Sequence, residues 1–309
     1  METPGQGHVP PGHRQDRLLE HAILTSQEPG TGSRAGRRWQ YAIAALLALI
    51  TAATAVHLWS RNPAPAARPA PAPTSSSHGD GLTDSHDGYR MVAATLPSSR
   101  GPDQEIAFRI LGQDGLPATG YAEVQTKKLH FYLVRDDLSG YQHLHPGFDG
   151  TTWRTRVSIA DGGAYRIYAE FIPLDRAGSG HPTVLGLPFL VPGDTKFVPL
   201  PPPSATASSG GYTVTRLDGV AHVSQNKPAV LRFDITGPGG GKAQLEQYLG
   251  AYAHLSSFEV LNLRLTHMHP IGQALVFHAV FAQRGEQRMF LQFQVGGQVH
   301  LAEFTVFVT

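Results

Sequence analysis

The sequence predicts an all-β protein built from two tandem antiparallel sandwiches. Among its 309 residues are 34 glycines and 24 prolines but only 16% charged residues, a balance typical of strands joined by turns. Beyond residue 88, short β-rich runs bounded by Gly, Pro, Asp and Asn recur in two series, without a convincing amphipathic helix. A three-histidine spacing also occurs twice, 124 residues apart. These observations indicate two copies of one β module.

The first 88 residues predict three segments ahead of the modules. Residues 1–38 are rich in Gly, Pro, Arg and Gln without apolar periodicity, which predicts a disordered cytoplasmic tail. Residues 39–59 form an uncharged run of 21 residues with a tryptophan at each end, which predicts a transmembrane helix. Residues 60–88 are rich in Pro, Ala and Ser and predict an extended stalk.

The arginines around the apolar run predict the orientation of the chain in the cell membrane. Those before it are Arg14, Arg17, Arg34, Arg37 and Arg38, whereas Arg61 and Arg68 follow it. The positive-inside rule then places the N-terminus in the cytoplasm and the C-terminal domains outside, in a single-pass protein. A cleaved signal peptide is the competing interpretation, but the leader and the apolar run are both long for one.

The two modules are predicted at residues 89–192 and 212–309, with a Pro/Ser/Gly linker at 193–211 between them. In the first module, strands are expected near 89–96, 104–112, 129–135, 141–145, 152–159, 164–172 and 185–191. In the second, they are expected near 212–217, 229–235, 252–259, 264–269, 274–281, 287–295 and 299–308. Seven short strands per module are typical of immunoglobulin-like or cupredoxin-like sandwiches.

The repeated motif carries three histidines and a proline in each copy. The copies are His130-x12-His143-x-His145-Pro146 and His254-x12-His267-x-His269-Pro270. The residues between the histidines differ almost completely, yet the histidines and prolines persist. A second similarity supports the duplication, because YRIYAEF at 165–171 resembles QRMFLQF at 287–293.

Strand geometry explains how this spacing could bring three imidazoles together. A hairpin turning through residues 136–140 sets His130 opposite His145 and Tyr132 opposite His143. Alternate residues of a strand share a face with their cross-strand partners, so the three histidines converge. A hairpin centred on residues 261–262 in the second module likewise sets His254 opposite His269. His267 then lies on the same face, at the next inward position of that strand.

A cluster of three imidazoles without thiolates suits Cu(II), Zn or Ni. The chain has no cysteine and four methionines, and Met268, between two histidines on a strand, is expected in the core. We therefore expect one divalent metal site per module, with Cu(II) or Zn as the candidate ions and about two equivalents bound. His181 and His300 are candidates for a fourth ligand.

Two alternatives to a metal-binding role are weighed at this point. The histidines could form a packed polar network in a structural or protein-interaction ectodomain that presents its loops to a partner. Three histidines with an open position also describe a catalytic zinc, but no candidate general base accompanies both copies, so we expect no enzyme. The net charge of +1 argues against a nucleic-acid partner.

The histidine segments also carry a resemblance to known proteins. LHFYLVRDDLSGYQHLHP at 129–146 and the second-copy HMHP at 267–270 resemble a group of membrane-anchored actinobacterial ectodomain proteins with paired His-x-His-Pro motifs. Those ectodomains are similar to YtkA-like and other copper-associated β-sandwich domains. The resemblance implies a role in heavy-metal or copper handling at the cell envelope. This chain lacks the Met-rich loops of copper-resistance carriers, which argues against Cu(I).

Overall fold

The computed structural model describes residues 79–266 and 268–309, with only the backbone of His269. The predicted cytoplasmic tail, the predicted membrane helix at 39–59 and residues 60–78 of the predicted stalk lie outside the described residues, as does His267. Within the described part, no helix is long and apolar enough to span a membrane. The described residues all belong to one compact unit.

The strands of the first half supply two sheets. They are β1 (Ser85–His86), β2 (Tyr89–Thr95), β3 (Gly101–Leu111), β4 (Tyr121–Ala122), β5 (His130–Arg135), β6 (Gln142–Leu144), β7 (Gly147–Phe148), β8 (Trp153–Ile159), β9 (Gly163–Pro173) and β10 (Thr183–Val191). A short 3-10 helix, Leu174–Ser179, separates β9 from β10. Sheet I has the order β1-β2-β3-β8-β7, and sheet II has the order β10-β9-β5-β6 with β4 paired to β9.

The second half repeats this arrangement. Its strands are β11 (Thr206–Ser209), β12 (Tyr212–Arg216), β13 (Pro228–Thr236), β14 (Ala253–Glu259), β15 (Leu265–Thr266), β16 (His269–Pro270), β17 (Val276–Val280), β18 (Gly285–Val295) and β19 (Gln298–Val308). Sheet III has the order β11-β12-β13-β17-β16, and sheet IV has the order β15-β14-β18-β19. All pairings within these sheets are antiparallel. The predicted all-β antiparallel class is therefore confirmed.

Each half encloses its own hydrophobic core between two sheets. Phe108 of sheet I packs on Phe131 of sheet II in the first core. Phe233 of sheet III packs on Phe304 of sheet IV in the second. Since the chain has no cysteine, apolar burial rather than disulfides holds these sandwiches together.

The strands that carry the first histidine of each motif are buried on both faces. All six residues of β5 and all seven of β14 are buried. Odd-numbered residues such as Phe131 and Leu255 point into their own cores, whereas Tyr132 and Phe258 belong to a third cluster that joins sheets II and IV. Because side chains alternate along a strand, His130 and His254 lie on the same even-numbered face as that cluster.

Sheets II and IV therefore pack face to face, and the four sheets stack in the order I, II, IV, III. Tyr141 stacks on Phe290 at 4.0 Å between ring centres, nearly parallel. Tyr168 donates a hydrogen bond from its hydroxyl to the Leu263 carbonyl at 2.6 Å. Both contacts join the first half of the chain to the second. The histidine faces are consequently enclosed between the two modules.

The His-x-His-Pro segments lie where the chain passes from one sheet to another. In the first half, β6 pairs with β5 of sheet II, and β7 then pairs with β8 of sheet I. In the second half, β15 pairs with β14 of sheet IV, and β16 then pairs with β17 of sheet III. Both β7 and β16 are edge strands, where a proline without an N–H is tolerated. The crossing explains why a proline follows the histidines in both copies.

The structure adds strands that the sequence patterns did not predict. The short strands β1, β4, β7 and β11 have no predicted counterpart, and β11 lies inside the predicted linker at 193–211. Residues 79–88, predicted as the end of a stalk, contact the modules: Arg166 donates to the Gly81 carbonyl, and the Leu265 N–H donates to the Asp80 carbonyl. This segment gains its structure from tertiary contacts that a Pro/Ser-rich composition does not reveal.

Candidate metal centre

Three imidazoles of the first module converge on one point. His130 Nδ1 lies 3.1 Å from His143 Nε2 and 3.3 Å from His145 Nε2. The ligand atoms of the three residues all lie within 4.8 Å of one another, and no other such cluster occurs among residues 79–266 and 268–309. Tyr132 pairs with His143 across the β5–β6 hairpin, as predicted. The predicted convergence of the first histidine triad is confirmed.

The outward-facing nitrogens of two of these rings are committed to hydrogen bonds. His130 Nε2 lies 3.1 Å from the Val124 carbonyl oxygen, and His143 Nδ1 lies 2.7 Å from Gln292 Oε1. The Val124 carbonyl can only accept, so in a neutral imidazole His130 Nε2 carries the proton and His130 Nδ1 keeps its lone pair. The proton of His143 lies on Nδ1 when the Gln292 amide presents its oxygen, as it does here. With this amide orientation the lone pairs of His130 Nδ1 and His143 Nε2 face each other at 3.1 Å.

The spacing of the rings matches what a single metal ion requires. Two nitrogens on a tetrahedral ion with bonds of about 2.0–2.1 Å lie about 3.3 Å apart, and the ring centres lie about 5.2 Å apart. The three ring-centre distances in the triad are 5.4, 5.1 and 4.8 Å. Hydrogen bonds from the outer nitrogens to a carbonyl and an amide oxygen are the partners that metal-bound histidines usually have. The donor set therefore fits a divalent ion such as Zn or Cu(II).

The second module completes the surroundings of this triad. Gln292, which holds His143, is on β18 and is the Cα partner of His254 on β14. The His254 ring centre lies 6.1 Å from that of His143. His254 is 5% exposed, and its Nε2 donates to the Tyr248 carbonyl at 2.7 Å. The site is thus formed between the modules rather than within one of them.

A cavity of about 150 Å³ opens beside the histidines between sheets II and IV. His130, His143 and His254 line it, together with Glu170 and apolar residues of both modules. Glu170 is 7% exposed and accepts a hydrogen bond of 2.8 Å from the Tyr132 hydroxyl. The Tyr132 ring in turn stacks on His143 at 4.7 Å. The cavity gives an ion at the triad a sheltered, mostly apolar setting.

Burial favours the neutral form of His143, His145 and His254. Desolvation lowers the pKa of His143 well below its ordinary 6.5, and the neighbouring His130 and His145 lower it further. Desolvation, with smaller contributions from His130 and Lys127, lowers the pKa of His145 to about 3. Desolvation also lowers the pKa of His254, although its hydrogen bond to the Tyr248 carbonyl opposes the shift. Neutral imidazole is the form that ligates metals.

The other predicted site residues have different outcomes. His267 and the side chain of His269 lie outside the description, so the rest of the second cluster stays a prediction; the backbone of His269 pairs with His278 on β17. His300 is buried but stacks on Phe293 and Tyr212, and it does not line the cavity. His181 is exposed. Met268 is buried in the core of the second module, as expected.

Sequence patterns missed the residues that hold the histidines in place. Gln292 and Glu170 lie at equivalent positions of the two similar segments 165–171 and 287–293, each opposite the first histidine of its own module. That alignment was the available signal, since a polar residue occupies the same inward position in both copies. The carbonyl groups of Val124 and Tyr248 carry no signal, because every residue type has one.

One family model matches part of the chain. Residues 206–309 match the family described as "Domain of unknown function (DUF8832)". No curated protein matches.

Among solved structures, domains 4 and 5 of the S-layer protein SbsC are 11% identical with a TM-score of 0.23, covering 72% of this chain and 97% of that one. Fibronectin(III)-like modules of Clostridium thermocellum CbhA are 11% identical with a TM-score of 0.21, covering 71% and 94%. Titin domains Z1Z2 in complex with telethonin are 12% identical with a TM-score of 0.19, covering 71% and 94%.

Proposed function

We propose that this protein binds a divalent transition metal, Zn or Cu(II), through His130, His143 and His145. The observation that carries the proposal is the convergence of three ring nitrogens: His130 Nδ1 lies 3.1 Å from His143 Nε2 and 3.3 Å from His145 Nε2. With Gln292 presenting its oxygen to His143, the first two nitrogens have facing lone pairs, and a cation between them is stabilised by both. His145 Nε2 supplies the third ligand.

The chemistry of the donors supports Zn and Cu(II) over other ions. Imidazole nitrogen suits both, whereas Cu(I) favours thiolate or thioether ligands. The described side chains near the triad offer no thiolate, and the one neighbouring thioether, Met268, is part of the hydrophobic core. The resemblance of the motif segments to copper-associated β-sandwiches favours keeping Cu(II) beside Zn as a candidate.

A packed polar network is the competing function for these histidines. In that arrangement His145 donates from Nε2 to His130 Nδ1, and a Gln292 side chain turned to offer its NH₂ would let His143 donate as well. Such a network would hold the two modules together in a structural or protein-interaction role. It predicts that the purified protein has no measurable affinity for Zn or Cu(II).

The cellular setting is part of the proposal. We place the protein in the cell membrane through a single helix at 39–59, with the modules outside and the histidines serving metal handling or homeostasis. The charge-free run and the excess of arginines before it support this placement. A binding role is preferred to catalysis because the buried carboxylate near the triad, Glu170, is engaged by the Tyr132 hydroxyl.

Metal titration of the purified full-length chain tests the proposal. Zn or Cu(II) should bind the wild-type protein, and a His143→Ala/His145→Ala variant should lose at least about 100-fold in affinity, because two of the three triad ligands are removed. The matched control is His222→Ala, an exposed histidine of the second module, which should bind as the wild type does. A wild-type protein that takes up neither ion would overturn the proposal and favour the polar network.

A further inference from the structure

The two motifs need not form two separate metal sites, because the structure brings the first histidine of the second motif to the triad of the first. His143 lies between the two groups: its ring centre is 5.4 Å from that of His130 and 6.1 Å from that of His254. The shared cavity is lined from both modules. A fourth imidazole therefore lies beside His143 and lines the same cavity as the triad.

His254 is held in the same way as His130. Each donates from Nε2 to the carbonyl of the residue six positions earlier, Val124 for His130 and Tyr248 for His254. Each carbonyl belongs to a small turn closed by the same kind of bridge, Val124 to Lys127 and Tyr248 to Ala251. These pairs are all separated by 124 residues. In both copies the arrangement leaves Nδ1 as the free lone pair.

The His254 ring lies close to the distance that a shared ion requires. Two imidazoles on one tetrahedral ion have ring centres about 5.2 Å apart, and the His254–His143 distance of 6.1 Å exceeds this by about 1 Å. His254 is not in the group whose ligand atoms lie within 4.8 Å of one another, so it joins the centre only if side chains move. Both faces that carry these rings belong to sheets packed against each other, and Gln292, the Cα partner of His254, already contacts His143. A small adjustment of side chains at this interface would suffice.

We propose that His254 is the fourth ligand of the ion held by His130, His143 and His145, in a single centre that joins the two modules. This inference rests on the proposed function. The centre would have four imidazole ligands, three from the hairpin of sheet II and one from β14 of sheet IV. Its ion would cross-link the two sheets, so that binding the metal and docking the modules stabilise each other.

Spectroscopy on the wild-type protein tests the ligand count without altering the chain. X-ray absorption of the full-length protein with one equivalent of Zn should show four imidazole nitrogens, and His254→Ala should show three. Three nitrogens in the wild-type spectrum would overturn the inference while leaving the proposed function intact. Failure of the wild type to bind Zn at all would instead defeat the proposed function.

Affinity and stoichiometry give an independent readout. The wild type should bind one tight equivalent, and His254→Ala should weaken that equivalent at least about 10-fold and lose most of the rise in unfolding temperature that Zn produces. His222→Ala is the matched control and should retain both. Two tight wild-type equivalents, reduced to one of unchanged affinity by His254→Ala, would overturn the single centre and show that His254 belongs to a separate site.

Discussion

The two modules use the same histidine position with different neighbours, and the difference shows how the second module comes to contact the histidines of the first. His130 and His254 each have a carbonyl partner six residues earlier. At the equivalent position on the adjacent strand of the sheet, the first module has Glu170 and the second has Gln292. Gln292 reaches across the interface to His143, whereas Glu170 accepts from Tyr132 within its own module. Among the described residues, the change from a carboxylate to an amide therefore accompanies a contact between the modules.

The largest expected effect, on the free energy of unfolding, comes from weakening the packing between the two modules. Phe258→Ala removes a fully buried ring that contacts Tyr132 and Tyr168 of the first module, so we expect a loss of about 3–5 kcal/mol in the free energy of unfolding. Metal affinity should fall as well, because Gln292 and His254 depend on docking. Chemical denaturation and Zn titration measure the two effects.

Phe304→Ala is the matched control for that variant, since Phe304 is equally buried but lies in the core of the second module alone. We expect a similar loss of unfolding free energy from it. Zn binding is then measured without denaturant, where both variants remain folded. Only Phe258→Ala should weaken it. Equal weakening by both would contradict the assignment of Phe258 to the interface.

An intermediate effect is expected at the residue that distinguishes the modules. Gln292→Leu removes the acceptor that fixes the proton on His143 Nδ1, and loss of such a partner typically costs 10–100-fold in metal affinity. Gln292→Glu keeps an acceptor and should bind at least as tightly as the wild type. Competition titration with a chelator of known affinity measures both variants.

Gln294→Leu provides the control on the same strand, because Gln294 is also half-buried but donates to Glu246 away from the histidines. It should leave metal affinity unchanged. If Gln292→Leu also binds as the wild type does, the cross-module contact has no part in orienting His143.

The smallest effect concerns the pH dependence of stability without metal. Folding lowers the pKa values of His143, His145 and His254. Below about pH 6.5 the unfolded chain therefore binds more protons than the folded protein, and the free energy of unfolding decreases as the pH is lowered. The contribution of His145 to this decrease continues down to about pH 3. Above about pH 6.5 the histidines cause no such decrease. Denaturation in the presence of a chelator between pH 7 and 4 measures the slope.

The modules should contribute unequally to that slope. A His143→Gln/His145→Gln variant removes two shifted groups and should flatten the slope more than His254→Gln, which removes one. An unchanged slope in the double variant would show that the first-module histidines are not the groups that titrate.

The strands and the first hairpin could be predicted because they depend on the alternation of apolar and polar residues within short segments. The apolar positions 131 and 133 and the turn at 136–140 fixed the pairing of Tyr132 with His143. The packing of sheet II on sheet IV depends on residues more than a hundred positions apart, which alternation within one strand does not report. A partial signal was present in β5, because HFYLVR has Tyr132 and Val134 on its outward face, as expected for a strand covered on both sides. The second strand, AHLSSFE, gives no such signal, since His254 and Ser256 lie on its outward face.

The site could be predicted only as far as one hairpin reaches. The spacing placed three imidazoles together, but the partners that fix their protons are a backbone carbonyl and an amide from the other module. Backbone carbonyls leave no trace in a sequence. His300, a candidate for the fourth ligand, instead stacks on Phe293, because it is the cross-strand partner of Phe293 and shares the face of sheet IV turned to the second core.

Strand β5 is buried on both faces, and one of those faces is covered by residues that are synthesised later. The 124 residues from His130 to His254 take about 6–25 s to synthesise at 5–20 residues per second. During that interval the first sandwich can fold while the face of sheet II that carries Tyr132 and Val134 is not yet packed against sheet IV. A nascent chain at that stage already carries the complete three-histidine hairpin. A first sandwich that folds at this stage exposes Tyr132 and Val134 until sheet IV covers them.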